Sequence, residues 1–464
     1  MDYRRNASGR DNDHIENKII VSMKKEKIVI IGGAESGVGA ALLAKKNNYE
    51  VFVSDYGEIA DKYKDELTEY NIPFEEKGHT IERLIDAGFV IKSPGVPDTA
   101  PILSSLNKEG LRGVSEIEFG YSLYAGKLIA ITGSNGKTTT SGLIYHIMKT
   151  AGLDVEIGGN YGVSFARILT DKKPDYMVLE LSSFQLDGIQ KFRPDIAVLL
   201  NITADHLDRY DYDIKKYAAS KMRITENQTI ENHYIFNADD NLIAEFNSQL
   251  SIRAHRYGVE ERDYENGITS KEDDQQFEIS IKGKHNLFNA RCAVEVARIL
   301  GISESDIAKG LASFVNEPHR LEVVAIVNEV TFINDSKATN VDAVSYALDA
   351  IDGDIIWVAG GIDKGNDYSP LYHLAQERVK ALICLGVDNR KLVQSFARYI
   401  PVIIESTKVS NVVDTAIDLA KAGDTVILSP ACASFDLFDS YVDRGDQFCE
   451  AVRTKRTTNS FGTK

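Results

Sequence analysis

The stretch KLIAITGSNGKTTTSGLIYHIMKTAG, residues 127–152, joins an apolar run, a glycine-rich turn and an amphipathic segment. The run LIAIT is rich in β-branched residues, which is typical of a buried strand. The segment after the turn has helical periodicity, and Gly152 provides a stop signal. Its apolar residues share one helical face: Leu143, Ile144, Ile147, Met148 and Ala151. This order of strand, glycine turn and helix predicts a phosphate-binding loop.

The turn itself, residues 133–138, has the chemistry that such a loop requires. Its glycines let backbone N–H groups approach phosphate oxygens, and the N-terminus of the following helix favours an anion. Lys137 can reach the β- and γ-phosphates, and the Thr138 hydroxyl can ligate Mg²⁺. One departure is Ile131, which stands where the usual spacing has a glycine. A plain turn with a surface lysine is the alternative. The predicted ATP-binding loop comprises Gly133, Ser134, Asn135, Gly136, Lys137, Thr138 and Thr139.

Composition limits the class of protein. The 464 residues carry 53 Lys and Arg against 69 Asp and Glu, a formal net charge of -16. This charge argues against a nonspecific nucleic-acid surface, but it leaves anionic small substrates open because a few local cations suffice for them. No run approaches the roughly 18 apolar residues of a membrane helix. The four cysteines form no CxxC pair, so we expect no zinc site and a reduced, cytoplasmic environment.

Strands and helices alternate along most of the chain, which predicts an α/β fold with mostly parallel sheets. We expect three domains: a Rossmann-like domain over residues 24–115, a central P-loop ATPase-like domain over 116–316, and a Rossmann-like parallel sheet over 317–464. Residues 1–23 are polar and lack the apolar region of a signal peptide, so we expect a disordered extension or a tag.

The first domain opens with a second glycine-rich turn, IIGGAESGVGAALLA. Ala34 stands where a dinucleotide fingerprint has its second glycine, although Asp55 ends the next strand about 20 residues on. This is a weak signal for NAD. Tight packing is the alternative for these glycines, above all for Gly39.

Further along the chain, several apolar runs are followed by short motifs that contain polar residues. Glu180 in LELSS ends an apolar run near the phosphate loop and suits Mg²⁺, with a solvated carboxylate as the alternative. His206 in HLDRY, taken alone, is more typical of a structural histidine, and Lys221 in YAASKM of a surface lysine. The remaining motifs are GGN, HNLFNA, EPHRLE, NDSKATN, GGIDKG and SPACASFD.

Together, in order and across all three expected domains, these motifs resemble the Mur ligase family. These are ATP-dependent enzymes that form amide bonds in bacterial peptidoglycan synthesis. GSNGKTT, HLDRY and HNLFNA mark the whole family, whereas NDSKATN and SPACASFD are most similar to the members that add D-glutamate to UDP-N-acetylmuramoyl-L-alanine. The resemblance implies reaction through an acyl phosphate, ATP and two Mg²⁺ ions, a monomer without a membrane span, and a bacterial cytoplasm.

The resemblance also implies roles for individual residues. The ATP contacts beyond the loop are Asn286, Asn289, Arg320 and Asp335. The catalytic residues are Lys137, Asn160, His206, Lys221 and Lys337. The metal ligands are Thr138, Glu180, His206 and Lys221, the last as a carbamate. The UDP-sugar contacts are Ser36, Gly37, Asp55, Tyr56 and Ser93, and the D-glutamate contacts are Thr339, Lys364, Ser434, Phe435 and Tyr441. Tyr56, Phe435 and Tyr441 depart from the residues that we expect in the family.

Other classes remain as alternatives. A sister Mur ligase would carry a different motif in place of NDSKATN. A folylpolyglutamate synthetase would lack the roughly 90 residues of α/β pattern before Lys127. A GTPase needs an NKxD-type motif, and NADD at residues 237–240 is not one. An NAD-binding regulator or dehydrogenase needs an intact dinucleotide fingerprint.

Overall fold

The computed structural model describes residues 27–160, 162–261, 267–281 and 283–460. The extension predicted for residues 1–23 lies outside this part. The described strands form three sheets of five, six and six strands. This confirms the three-domain α/β fold, while the domain boundaries remain a prediction.

The N-terminal sheet is entirely parallel in the order β3-β2-β1-β4-β5. Residues 28–31 of β1 are apolar and buried, as expected for a parallel strand with helices on both faces of its sheet. The strands are β1 Lys27–Ile31, β2 Glu50–Ser54, β3 Phe74–Glu75, β4 Phe89–Lys92 and β5 Gly113–Ser115. The helices are α1 Glu35–Lys46, α2 Asp61–Glu69, α3 Pro101–Lys108 and α4 Glu116–Leu123, with a 3-10 turn at Ile81–Arg83.

The central sheet is also parallel, in the order β11-β10-β9-β6-β8-β7. Its strands are β6 Lys127–Thr132, β7 Val155–Gly159, β8 Tyr176–Glu180, β9 Ile196–Leu199, β10 His233–Asn237 and β11 His255–Val259. Its helices are α5 Lys137–Thr150, α6 Phe165–Asp171, α7 Ser183–Asp187, α8 Ile214–Met222, α9 Asn241–Gln249, α10 Lys284–Ile299 and α11 Glu304–Ser313. Two 3-10 turns lie at Leu207–Tyr210 and Arg223–Thr225. Because β6 lies between β8 and β9, their carboxyl ends meet around the loop after β6.

The C-terminal sheet has the order β12-β13-β17-β14-β15-β16, and β12 is its antiparallel strand. Its strands are β12 Glu322–Val327, β13 Val330–Asn334, β14 Ile355–Ala359, β15 Val379–Leu385, β16 Ile403–Ser406 and β17 Thr425–Leu428. Its helices are α12 Val341–Asp349, α13 Tyr372–Arg378, α14 Arg390–Phe396, α15 Val409–Leu419 and α16 Tyr441–Ser460, with a 3-10 turn at Ser369–Leu371. The strand order reverses between β14 and β17, and such a switch point forms a crevice for ligands.

The N-terminal and central sheets share one hydrophobic core, which includes Val38 of α1 and Phe165 of α6. Polar contacts reinforce this packing at its edge, where Arg167 binds Glu35 at 2.8 Å and also Glu66. Among the described helices, none combines the length and apolar character needed to cross a bilayer.

Gly120 allows α4 to approach α6 closely. A Cβ at Gly120 would lie 2.6 Å from Phe165 Cδ1, closer than real contacts allow. We therefore expect Gly120→Ala to lower the free energy of unfolding by about 1–3 kcal/mol, measured by urea denaturation.

The matched control is Gly142→Ala, also within a helix. Its Cβ would meet Phe314 at an ordinary 3.5 Å. We expect this change to be neutral or to stabilise by up to about 1 kcal/mol, because alanine is the better helix former. Equal effects of the two substitutions would contradict the close packing of α4 on α6.

Candidate functional site

The predicted phosphate loop adopts the geometry of such a loop. It leaves β6 at Thr132 and enters α5 at Lys137, with the positive φ angles of Gly133 and Gly136 between them. The first intrahelical bond runs from Thr140 N–H to the Gly136 carbonyl. The N–H groups of residues 136–139 therefore precede the helical ladder and can point at an anion.

Asn201, directly after β9, holds the loop in this shape. Its Oδ1 accepts from the Asn135 N–H at 2.8 Å, and its Nδ2 donates to the Asn135 carbonyl at 3.1 Å. The Ser134 hydroxyl donates to the Thr203 carbonyl at 2.8 Å. Thr139, 1% exposed, is 3.3 Å from Asn316 Oδ1. The side chains of Ser134 and Thr139 are thus engaged by the protein, and so is the Ser134 N–H, which donates to the Asn201 carbonyl at 2.9 Å.

Lys137 and Lys221 converge on the same backbone oxygen. Lys137 Nζ donates to the carbonyls of Gly133 and Ser134 at 2.8 Å each. Lys221 Nζ, on α8, donates to the Gly133 carbonyl at 2.8 Å. Burial is the main cause that lowers the pKa of both amines.

Lys221 is 1% exposed, so it is not the surface lysine of the alternative interpretation. Its pKa lies well below the ordinary value because of burial and then because of the nearby Lys137 charge. The amine also lies 4.5 Å from the Tyr217 ring centre. A deprotonated amine is the form of lysine that acts as a nucleophile.

Glu180 ends β8 at the same edge and is 3% exposed, which excludes a solvated carboxylate. Its Oε1 accepts from Asn160 Nδ2 at 2.8 Å, whereas its Oε2 is buried without a hydrogen-bond partner. A buried carboxylate oxygen without a donor fits a cation. The neighbouring Thr138 hydroxyl could supply a second oxygen ligand.

The described residues hold no group of three or more His, Cys, Asp or Glu side chains arranged around a metal. Mg²⁺ commonly binds proteins through one or two carboxylates together with substrate phosphates and waters, and Glu180 with Thr138 could supply the protein ligands of such a site.

His206 precedes a 3-10 turn and has a positive φ of 52°. Burial lowers its pKa, Asp205 opposes this effect, and Lys364 and Lys137 lower the pKa further. Lys364 lies on the loop after β14, and Lys137 begins α5. Charges from the central and C-terminal parts of the chain therefore both act on His206.

Further cations and polar groups come from the edge of the C-terminal sheet. Burial and the Arg320 charge lower the pKa of Lys337 to about 8, and Glu180 opposes the shift. Burial raises the pKa of Asp335 to about 7, and its Oδ2 accepts from the Ser429 hydroxyl at 2.9 Å. Arg320 Nε is buried without a hydrogen-bond partner, and a guanidinium in this state suits an anionic ligand.

Asn286 and Asn289 share one face of α10, as their spacing predicts, and both are 3% exposed. Asn289 Nδ2 donates to Asn286 Oδ1 at 3.4 Å. A Cβ at Gly136 would lie 2.5 Å from Asn289 Oδ1. Asn289 therefore lies directly beside the phosphate loop.

The residues expected to contact glutamate lie on the loops after β13, β14 and β17 and at the start of α16. Ser434 is 2% exposed, whereas Phe435 is 70% exposed and Lys364 is also on the surface. Thr339 and Tyr441 are half-buried. These loops meet at the switch point between β14 and β17, where a ligand crevice is expected.

Arg444 of α16 connects these loops and was not found by sequence reasoning. The side chain is 1% exposed. It donates to the Ser336 carbonyl at 2.9 Å, the Cys432 carbonyl at 3.2 Å and the Gly360 carbonyl at 3.3 Å. One guanidinium thus fixes the starts of three loops.

The residues expected to bind UDP form a separate group at the carboxyl edge of the N-terminal sheet. Asp55 accepts from the Gly33 N–H at 2.6 Å and from the Gly57 N–H at 2.7 Å. Ser93 donates to the Gly32 carbonyl at 3.1 Å. Ser36 is half-buried at the start of α1, beside the buried Gly37, and Tyr56 is 80% exposed.

Gly37 and Gly39 have a packing role in addition. A Cβ at Gly37 would lie 1.8 Å from the Gly32 carbonyl, and one at Gly39 would lie 2.2 Å from Ser164 Oγ. For Gly39, this is the tight packing that was the alternative interpretation of the sequence.

Three family models match the chain in sequence. They describe a MurD N-terminal domain at residues 27–101, a Mur ligase middle domain at 131–297, and a Mur ligase glutamate ligase domain at 319–432. The UDP-N-acetylmuramoylalanine–D-glutamate ligase of Christiangramia forsetii is 48% identical over 92% of this chain and 99% of its own length. The chain belongs to the Mur ligase family. The Bacteroides fragilis ligase of the same name is 47% identical to this Mur ligase, over 92% of this chain and 99% of its own.

Solved structures support the fold of this Mur ligase. UDP-N-acetylmuramate-alanine ligase from Thermotoga maritima aligns with a TM-score of 0.59 at 20% identity, over 94% of this chain and all of its own. The MurF ligase of Thermotoga maritima, solved in complex with ADP, aligns with a TM-score of 0.60 at 17% identity, over 88% and 95% of the two chains. At these identities the likeness concerns the fold alone.

Gly136→Ala tests the phosphate loop directly. The substitution combines a strained φ of 84° with a Cβ 2.5 Å from Asn289 Oδ1. We expect it to reduce the shift in melting temperature caused by ATP and Mg²⁺ by more than half, because the loop must distort.

Gly152→Ala is the control. Its φ of 76° is similarly strained, but a Cβ there has no neighbour within 4 Å. We expect it to lower the basal melting temperature while the ATP-dependent shift is retained. A full ATP-dependent shift with Gly136→Ala would contradict the assignment of this loop to phosphate binding.

Proposed function

We propose that this Mur ligase joins D-glutamate to UDP-N-acetylmuramoyl-L-alanine with hydrolysis of ATP to ADP and phosphate. The effect of both the Lys137 charge and the Lys364 charge on the His206 pKa supports the proposal. Lys137 begins the helix after the phosphate loop, and Lys364 is a cation suited to the side-chain carboxylate of glutamate. High-coverage similarity to ligases that carry this activity in their names supports the choice of substrates.

The reaction proceeds in two steps. A carboxylate oxygen of the alanine residue attacks the γ-phosphorus of ATP, the bond to the β-phosphate oxygen breaks, and ADP leaves. The amine of D-glutamate then attacks the acyl carbon, phosphate leaves with the former carboxylate oxygen, and a proton is released. Negative charge develops on the phosphoryl oxygens in the first step, so positioned cations lower its barrier.

The N–H groups of residues 136–139 and the Lys137 amine hold the phosphates of ATP. Lys337 and Arg320 approach the same region from the C-terminal part of the chain, and the charges of Arg320, Glu180 and Lys137 all act on the Lys337 pKa. Asn286 and Asn289 lie on the adenine side, and Asp335 binds the ribose. A bound phosphate would raise the lowered pKa values of Lys137 and Lys337, so both amines would be charged in the complex.

Thr138 and Glu180 would hold one Mg²⁺ ion, and His206 with a carbamylated Lys221 would hold a second. When bound, these ions neutralise the phosphate charge and the charge that develops on transfer. The uncharged amine of Lys221 can add to CO₂, and the carbamate would replace a buried amine by an anion. Asn160 orients Glu180 through the 2.8 Å hydrogen bond and helps to position the acyl phosphate with His206.

D-Glutamate binds at the switch point of the C-terminal sheet. Lys364 pairs with its side-chain carboxylate, and the hydroxyls of Thr339 and Ser434 hydrogen-bond the ligand. Phe435 and Tyr441 shape the pocket. The exposed Phe435 would lose its contact with water when the ligand is bound, which favours binding.

The uridine diphosphate binds at the carboxyl edge of the N-terminal sheet. Ser36 and Gly37 contact the pyrophosphate at the start of α1, and Ser93 lines the same pocket. Asp55 and Tyr56 lie on the uracil side. We also propose domain boundaries at residues 115/116 and 316/317, a monomeric state and a place in the bacterial cytoplasm.

The test is ATP-dependent phosphate release in the presence of UDP-N-acetylmuramoyl-L-alanine and Mg²⁺, with D-glutamate, L-glutamate, L-alanine or L-lysine in parallel. We expect release with D-glutamate and less than about a hundredth of that rate with the others, because unpaired polar groups reject a wrong acceptor. Lys137→Ala is expected to reduce the rate by at least about 10³-fold.

Lys284→Ala is the matched control, because Lys284 binds the exposed Asp349 at 3.5 Å and lies outside the assigned ATP and substrate contacts. We expect its rate to stay within about threefold of the parent. Release that depends on another amino acid would overturn the D-glutamate assignment. No release from folded protein that still binds ATP would overturn the substrate assignment as a whole.

A further inference from the structure

Asn340 forms a bridge between the C-terminal sheet and the phosphate loop. It is the N-cap of α12, where its Oδ1 accepts from the Ala343 N–H at 2.9 Å. Its Nδ2 donates in the other direction, to Asn135 Oδ1 at 3.1 Å and to Asp205 Oδ2 at 3.5 Å. One side chain thus caps a helix of one domain and binds the phosphate loop of another.

The acceptor side of this contact is rigid. The backbone of Asn135 is held on both sides by Asn201, and its Nδ2 donates to Thr203 Oγ1 at 3.4 Å. With its amide nitrogen engaged there, Asn135 presents its Oδ1 to Asn340. The contact therefore connects two fixed elements, since Asn340 is itself held by the cap.

The charges around Asn340 select an amide donor. Asp205 accepts from it, and Asp342 lies two residues further along the chain. Burial raises the Asp342 pKa, a hydrogen bond from Thr203 opposes this effect, and the nearby Asp205 charge raises the pKa further. Two carboxylates near one N–H₂ group favour a donor and disfavour a further acceptor.

The position of Asn340 in the chain gives this bridge a consequence for the reaction. Thr339 is its neighbour, and Lys337 lies three residues earlier in the same loop after β13. The Lys337 N–H is bound to the His319 carbonyl at 3.1 Å. A loop fixed at both ends can hold Lys337 and Thr339 at a defined distance from the phosphate loop.

We propose that Asn340 is a positioning residue. Its hydrogen bond to Asn135 fixes the position of the loop that carries Lys337 and Thr339 relative to the phosphate loop. Its amide sets where the D-glutamate and ATP sites meet. The kinetic consequence rests on the proposed function, whereas the contact between the two domains does not.

The test separates the bridge from the helix cap. Serine caps a helix about as well as asparagine, but its hydroxyl is too short to reach Asn135. Asn340→Ser therefore keeps the cap and removes the bridge, and Asn340→Ala removes both. Asn340→Asp keeps the cap and places a carboxylate opposite Asp205.

We expect Asn340→Ser to retain the melting temperature of the parent within about 2 °C while kcat/KM for D-glutamate falls about tenfold, as for the loss of one interdomain hydrogen bond. For Asn340→Asp we expect a larger decrease in kcat/KM, because the introduced carboxylate would face the carboxylate of Asp205. In an Asn135→Ala background, Asn340→Ser should cause less than a twofold further loss, since the partner is already absent.

A second measurement does not depend on which amino acid the enzyme uses as its substrate. X-ray scattering in solution, with a non-hydrolysable ATP analogue and Mg²⁺, reports the radius of gyration. We expect a smaller nucleotide-induced decrease for Asn340→Ser than for the parent. This result would support the bridge even if the parent failed to use D-glutamate.

Asn340→Ser with parental kcat/KM and parental compaction would overturn the proposal. So would full additivity of the losses from Asn135→Ala and Asn340→Ser. If kcat/KM fell with Asn340→Ala but not with Asn340→Ser, and the melting temperature of Asn340→Ala fell as well, Asn340 would act only as a helix cap.

Discussion

Two lysine amines compete for one backbone carbonyl at the centre of this protein. Lys137 and Lys221 both donate to the Gly133 oxygen at 2.8 Å, so the two nitrogens lie within about 6 Å of each other. Two buried ammonium ions at this separation are unfavourable, and burial alone disfavours each charge. Lys221, the more deeply buried of the two, gives up its proton more readily. The chemistry proposed for the site depends on this shift.

The same constraint explains why the site suits anionic substrates in an acidic protein. The chain has a net charge of -16, yet the Lys137 charge lowers the pKa values of Lys221 and Lys337, and the Arg320 charge lowers those of Lys137 and Lys337. Local cations in a partly buried cleft outweigh a distant surface charge. The phosphates of ATP are negative charges of the kind that these cations attract. Arg444 and Asn340 hydrogen-bond the loops that carry part of this cluster.

Sequence reasoning found what local patterns encode. The strand, turn and helix around Lys137 carry the loop's signature, and Glu180 ends an apolar run that indicates a buried strand. It did not single out β7 or β13, each five residues long. It also missed Arg444, because an arginine in a polar helix is typical of a surface position. Asn201 follows β9 directly and could have been found, since polar residues at the ends of neighbouring parallel strands meet. The bridge from Asn340 to Asn135 depends on how two domains face each other, which no local pattern encodes.

The uncharged state of the Lys221 amine is tested most directly by the ¹³C NMR spectrum of the protein equilibrated with ¹³C-bicarbonate. An uncharged Lys221 amine predicts a carbamate carbonyl resonance that is present in the parent and absent in Lys221→Met. Lys216→Met controls for surface lysines, since Lys216 lies on the same helix with a half-exposed side chain paired to Asp211. No carbamate resonance in the parent, together with full ligase activity of Lys221→Met, would contradict the central role given to this buried amine.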